Sequence, residues 1–165
     1  SNPVYGEGSL AVLRGNLVAL PVRGASFDMV VSLQTIEHLW DQPAFVREAF
    51  RVLRPGGRLV LSTPNRLTFP PGNPFHSREL DAPELRELLS VDFPEVSLLG
   101  IHHGRRISSY EPRHGSIVDA QLATPPDRWA PGLAAFVAGL RAADFELRTD
   151  NLDRSLDLVA VATRP

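Results

Sequence analysis

Cysteine is absent from the 165 residues, which removes disulfides, thiolate metal ligands and a cysteine nucleophile together. Lysine is absent as well, because all 17 basic residues are arginine. Schiff-base chemistry is thereby excluded. So is the compact ammonium that P-loop enzymes and kinases place on the β- and γ-phosphates. No apolar run approaches the ~20 residues of a membrane helix, and the first residues lack the basic, apolar and small-residue succession of a secretory signal. A cytoplasmic protein without a membrane partner is expected. The net charge of −2 gives no basic field for gripping phosphate backbones, so no nucleic-acid partner is expected either. Internal repeats and low-complexity tracts are missing. What is present, 43% hydrophobic and 22% charged residues, is ordinary globular material sufficient for one domain over residues 1–165.

Residues 27–66 hold the densest pattern. Phe27–Leu33 has hardly a polar interruption, as a parallel strand covered on both faces would. Asp41 can accept from the free amides of a helix start, and Phe45, Ala49, Val52 and Leu53 then recur at helical spacing as one apolar stripe. Arg54-Pro55-Gly56-Gly57 stops that helix, since proline cannot continue the amide ladder and glycine tolerates positive φ. A second apolar strand over residues 58–62 follows. A strand that returns through one helix is a parallel, right-handed crossover.

These residues resemble the S-adenosylmethionine-dependent methyltransferases with a Rossmann-like sheet, in the broad group acting on small molecules. The likeness rests on consecutive blocks in order and spacing. They are Asn16-Leu17 with Leu20-Pro21, Ser26-Phe27-Asp28-Met29-Val30-Val31, Ile36-Glu37-His38-Leu39, Arg51-Val52-Leu53-Arg54-Pro55-Gly56-Gly57, and Ser62-Thr63-Pro64-Asn65. The blocks cover residues 10–79, with a looser match at residues 155–163. The implied fold is α/β, a sheet of parallel strands with an antiparallel last strand.

The resemblance also implies a cofactor, S-adenosylmethionine, and a site. Asn16 stands where the family places an acidic residue at the adenine amino group, and its side-chain carbonyl can accept the same bond. Leu17 would flank the adenine ring. Leu33, Gln34 and Thr35, at a strand exit, would lie beside the methionine portion. His38 would face the gap between methyl donor and a small-molecule acceptor, where a neutral imidazole can take a hydroxyl proton. Glu37 would orient backbone or a water beside it, and His76 lies on the acceptor side. The implied reaction is O-methylation of a small polar or sugar-like acceptor.

One part of the family pattern has no counterpart. The glycine-rich turn and following acidic residue that hold the cofactor are not found among Gly6, Gly8 and Gly15, which follow no apolar strand. The chain is therefore expected to be the C-terminal portion of the fold, with the N-terminal strands missing. The alternative is a non-catalytic scaffold or oligomerisation module without cofactor binding. In the family's sheet the first two strands separate the third from the fourth. Their absence should leave Phe27–Leu33 with an unpaired edge through which copies could associate.

The rest of the chain fits the same architecture. Asp81-Ala82-Pro83-Glu84 has capping-box spacing ahead of Leu85, Leu88 and Leu89. Residues 96–101 and 156–162 read as strands that the family pairs as an antiparallel edge hairpin. Between them lies a loop and helix insertion at residues 103–131, with Leu133, Phe136, Val137 and Leu140 forming an amphipathic helix beyond it. Trp40 and Trp129 read as packing groups. His102-His103 with Glu111 and His114 match no ligand spacing, because adjacent strand residues face opposite ways, so no metal is expected.

Overall fold

The computed structural model describes residues 12–70 and 73–165. Gly6, Gly8, Leu10, Pro71 and Gly72 lie outside the described residues. The chain runs β1 (Phe27–Leu33), α1 (Gln42–Val52), β2 (Leu53–Pro64), α2 (Ala82–Ser90), β3 (Glu95–His103), α3 (Arg105–His114), α4 (Ile117–Ala123), α5 (Pro131–Ala138), β4 (Phe145–Arg148) and β5 (Asp157–Thr163). One five-stranded sheet forms in the order β1-β2-β5-β3-β4.

The expected crossover is present. β1 and β2 pair in parallel, Val30 opposite Leu59 and Ser32 opposite Leu61, with α1 between them. The Asp41 carboxylate accepts from the Ala44 amide at 2.9 Å and starts α1. The end of α1 differs in detail from the expectation that strand begins at residue 58. β2 starts at Leu53, which pairs with Phe27, and the pairing resumes at Met29 with Arg58. The Arg54-Pro55-Gly56-Gly57 segment is thus a bulge within the strand, with Gly56 at φ +79° where a side chain would be strained.

β5 pairs antiparallel with both β2 and β3, so β3 points the same way as β2. The last two expected strands are therefore antiparallel neighbours, but they do not form an edge hairpin. β4 pairs with β3 through residues 145–148 and takes the edge, a strand the sequence reading did not include. Its residues Phe145, Glu146, Leu147 and Arg148 follow the two-residue alternation of a half-covered strand, in a window too short to stand out.

Helices α1 and α2 cover one sheet face. Phe45, Val46 and Ala49 of α1 and Leu85 and Leu89 of α2 pack with Leu59, Leu61, Leu98, Leu158, Ala160 and Ala162 of the strands. The Asp81 and Glu84 capping box is formed as expected, each side chain on the other's amide at 3.0 Å. The opposite sheet face carries Met29, Val31 and Leu33 of β1, which are 54%, 57% and 59% exposed. β1 is a terminal strand of the sheet, as expected. Trp40 does not pack, being 92% exposed on the segment between the β1 exit and α1. Trp129 donates its indole N–H to the Thr124 carbonyl at 2.8 Å.

Two polar residues lock opposite ends of β2. Asn65, fully buried after β2, donates to the carbonyls of Leu152 and Ser155 at 2.9 and 3.0 Å. Arg164, after β5, exchanges backbone hydrogen bonds with Gly56 and Gly57 and stacks its guanidinium 4.6 Å from the Phe50 ring centroid. Gly100 in β3 leaves room for Ser155, because a Cβ there would lie 2.5 Å from the Ser155 Cβ. We predict that Gly100→Ala lowers stability by about 1–3 kcal/mol through overpacking. Thermal unfolding is the check, and an unchanged midpoint would show that the Ser155 segment gives way freely.

Candidate active site

The site grows from the exit of β1. Gln34 sits at φ +50°, a conformation uncommon for a non-glycine residue and often found at functional positions. It is held there because its amide donates to the Ser62 carbonyl at 2.9 Å and its side chain donates to the Ser62 hydroxyl at 3.2 Å. The Thr35 hydroxyl turns back onto the Leu33 carbonyl at 3.0 Å. A single 3-10 turn follows at Ile36–His38, pegged by the fully buried Ile36. Buried Gln42 fixes the turn by donating to the Ile36 carbonyl at 3.0 Å and the Arg78 carbonyl at 2.8 Å.

Glu37 and His38 leave this turn in different environments. The Glu37 side chain is 1% exposed, and its carboxylate accepts from the Thr63 hydroxyl at 3.1 Å. The Glu37 carbonyl also accepts from the Ser77 and Arg78 amides at 2.7 and 3.2 Å, binding the loop after β2 to the turn. The His38 ring is 44% exposed. Its Nδ1 lies 2.9 Å from the Phe75 carbonyl. A carbonyl only accepts, so Nδ1 carries a proton, and in the neutral ring Nε2 holds the lone pair. Nε2 stands 3.8 Å from the Glu37 carboxylate.

His76 completes the group. Its ring meets the His38 ring edge-on at 4.9 Å between centroids and lies 5.1 Å from the Phe69 ring. Nδ1 donates to Glu79 at 2.6 Å, and the Asn73 amide donates to Nε2 at 3.0 Å. Residues 38 and 76 are thus brought together although nothing in their sequence separation announces it. Asn73, Thr63, Gln42 and Glu79 are site residues that the sequence reading passed over. Of these only Glu79 had a local signal, its three-residue spacing from His76.

Asn16 and Leu17 form a separate patch. The Asn16 side-chain oxygen accepts from the Val18 amide at 3.1 Å, closing a local turn. That segment is tied to α1, since Glu48 accepts from the Leu20 amide at 2.6 Å and Arg51 donates to the Val22 carbonyl at 2.9 Å. The Arg51 guanidinium bonded to Glu48 holds that carboxyl below its ordinary range. Among the described residues no hydrogen bond joins Asn16 or Leu17 to Leu33, Gln34 or Thr35. The His102 to His114 group divides as well. His103 bonds Glu111 at 3.1 Å, His114 stacks on Tyr110 at 4.2 Å, and His102 is buried on the other side of β3 with its Nε2 unpartnered.

Two cavities open nearby. One of about 610 Å³ lies on the sparsely covered sheet face, lined by Leu33, Ser62, Phe145, Leu147, Asp157 and Val159. The other, of about 520 Å³, lies between the loop after β2 and helices α3 and α4, with Thr68, His103, Glu111 and Asp119 in its wall. The first fits the methionine end of a nucleoside-type cofactor: it has an apolar wall, a few convergent polar groups and a place at the carboxyl ends of two parallel strands. Among the described residues no helix is long and apolar enough to cross a membrane.

Comparison with known proteins gives consistent results. A family model described as a methyltransferase domain matches residues 2–61. A Mycobacterium tuberculosis protein named a probable S-adenosylmethionine-dependent methyltransferase is 50% identical over 167 residues, covering 93% of this chain and 61% of its own. A Mycolicibacterium smegmatis protein of the same description is also 50% identical, with 93% and 65% coverage. The 27-O-demethylrifamycin SV methyltransferase of Amycolatopsis mediterranei is 35% identical, covering 78% of this chain and 47% of its own. The chain thus spans about three fifths of the length of the mycobacterial relatives. Among solved structures, a SAM-dependent methyltransferase from Thermotoga maritima aligns over 94% of this chain and 65% of its own, with a TM-score of 0.64 at 17% identity. One from Archaeoglobus fulgidus aligns over 96% and 70%, with a TM-score of 0.57 at 13% identity.

Asp157, at the wall of the larger cavity, gives a test of this geometry. Burial pushes its carboxyl above the ordinary range, against a hydrogen bond from Gln34 that lowers it, and the nearby Glu37 charge pushes it further up. The folded protein therefore holds this proton more tightly than the unfolded chain, and stability is lost as pH rises through the folded value. We predict that Asp157→Asn raises the unfolding midpoint at neutral pH and loses that advantage below the unfolded carboxylate range. Unfolding curves across pH are the check, and an advantage that stays constant in acid would contradict the assignment.

Proposed function

Because this chain belongs to the S-adenosylmethionine-dependent methyltransferases with a Rossmann-like fold, we propose that the whole protein methylates a hydroxyl of a small polar or sugar-like acceptor. The observation that carries the reading is the placement of His38, a half-exposed imidazole at the strand exit whose Nδ1 is engaged by the Phe75 carbonyl, with a buried carboxylate behind it. The O-methylating relative of Amycolatopsis mediterranei supports oxygen as the acceptor atom.

When bound, S-adenosylmethionine supplies an electrophilic methyl group on a sulfonium. Leu33, Gln34 and Thr35 would hold its methionine end, and Asn16 and Leu17 its adenine. His38 Nε2 would take the acceptor's hydroxyl proton, leaving that oxygen free to accept the methyl group that the cofactor would supply. The resulting imidazolium faces Glu37 at 3.8 Å, so the buried carboxylate stabilises the charge as it appears. Thr63 keeps Glu37 aimed, and the Phe75 carbonyl keeps His38 in the tautomer that can accept. His76 forms the wall beside His38 and fixes the angle of its ring. Alignment contributes the larger share, since the donor is already activated.

The segment 103–131 is read as an insertion that shapes the acceptor's room, because it walls the second cavity. The terminal position of β1 is read as a surface for self-association, and the cytoplasm as the working compartment.

The test is His38→Ala, assayed with the whole protein. Turnover of a hydroxyl acceptor is expected to fall ~10²–10⁴-fold, the usual contribution of a positioned base. Calorimetric titration should show S-adenosylmethionine affinity retained. Unchanged turnover would remove the base from His38, and no cofactor binding by the unmodified protein would favour a non-catalytic scaffold.

A further inference from the structure

We propose that Glu37, His38 and His76 form a binding site for one divalent transition-metal ion of the zinc type. One ligand atom from each lies within 4.8 Å of those of the other two. A tetrahedral ion with bonds of ~2.1 Å needs neighbouring ligands roughly 3.4 Å apart, so side-chain rotations of about an ångström close the group. Two imidazoles and one carboxylate leave a coordination position open and suit zinc-like ions, whereas magnesium and calcium select oxygen ligands.

The surroundings of the three groups carry the argument further than their proximity. A metal-binding imidazole characteristically donates its other N–H to a carbonyl or carboxylate, which fixes the tautomer and aims the free nitrogen. Both histidines have that arrangement: His38 Nδ1 donates to the Phe75 carbonyl at 2.9 Å, and His76 Nδ1 donates to Glu79 at 2.6 Å. Each is left with an Nε2 lone pair. The third ligand is oriented too, through the Thr63 hydroxyl on one Glu37 oxygen at 3.1 Å, which leaves the other facing His38. The Asn73 amide, 3.0 Å from His76 Nε2, occupies the direction the ion would take. It stands on a half-exposed loop position, where its oxygen accepts from the Phe75 amide at 3.0 Å, and the ion takes the place of its amide at His76.

The inference rests on the proposed function only in what fills the open position, an acceptor hydroxyl. With the ion bound, that hydroxyl is acidified by ligation and gives its proton to water. Without the ion, His38 removes the proton directly.

The probes are Co²⁺, followed by its visible absorption, and Zn²⁺, followed by calorimetry, on metal-stripped whole protein. One equivalent should bind, with the cobalt band of a four- or five-coordinate site. Glu79→Gln should weaken binding ~10–100-fold, as loss of an orienting partner does, and Glu37→Gln and His76→Ala should weaken it more. His103→Ala should leave it unchanged, and circular dichroism confirms that each variant is folded. Failure to bind one equivalent, or equal affinity in the unmodified, Glu37→Gln and Glu79→Gln proteins, overturns the site. S-adenosylmethionine titrated into the same samples separates the two readings. Cofactor binding without metal binding sinks the metal site alone, and metal binding without cofactor binding sinks the methyltransferase reading alone.

Discussion

The carboxylate of Glu37 is the constraint around which the site is arranged. An ionised carboxylate removed from water costs several kcal/mol unless neighbours replace its hydration. The Thr63 hydroxyl at the end of β2 bonds the carboxylate, the His38 ring stands beside it, and the loop after β2 places the Ser77 and Arg78 amides on the Glu37 carbonyl. Satisfying that one residue therefore fixes the β1 exit, the end of β2 and the loop carrying His76 relative to one another. The geometry of the candidate site follows from this need, because the same loop presents the Phe75 carbonyl to His38.

Much of the scaffold could be read from the sequence because its signals are local. The β1, α1, β2 unit follows from an unbroken apolar run, a stripe at helical spacing and a proline-glycine stop, all within 40 residues. The capping box of α2 is likewise a four-residue pattern. β4 escaped notice because four residues of alternation are weak, and its pairing depends on β3, more than 40 residues earlier. The bulge at Gly56 escaped for another reason. A segment that breaks a helix and one that bulges a strand use the same residues, and only the register with β1 tells them apart.

The candidate site was legible in part. Glu37 and His38 are sequence neighbours at a recognisable strand exit, and His76 follows the second strand. Their convergence is a tertiary fact, produced by a loop that returns across the turn. Trp40 shows the limit of composition-based expectation: tryptophan usually packs, yet here the turn that buries Ile36 and Glu37 leaves Trp40 at 92% exposure.

The position of Arg164 bears on the order in which the chain can mature. Its side chain donates to the Phe50 carbonyl at 3.0 Å, across 114 positions, at the carbonyl end of α1. Its backbone closes the bulge at Gly56 and Gly57. The crossover is therefore finished by a residue more than a hundred positions further along the chain. Such long-range closure slows collapse into the native topology. During synthesis, the nascent β1–α1–β2 segment must wait, with its apolar surfaces uncovered, for its final clasp.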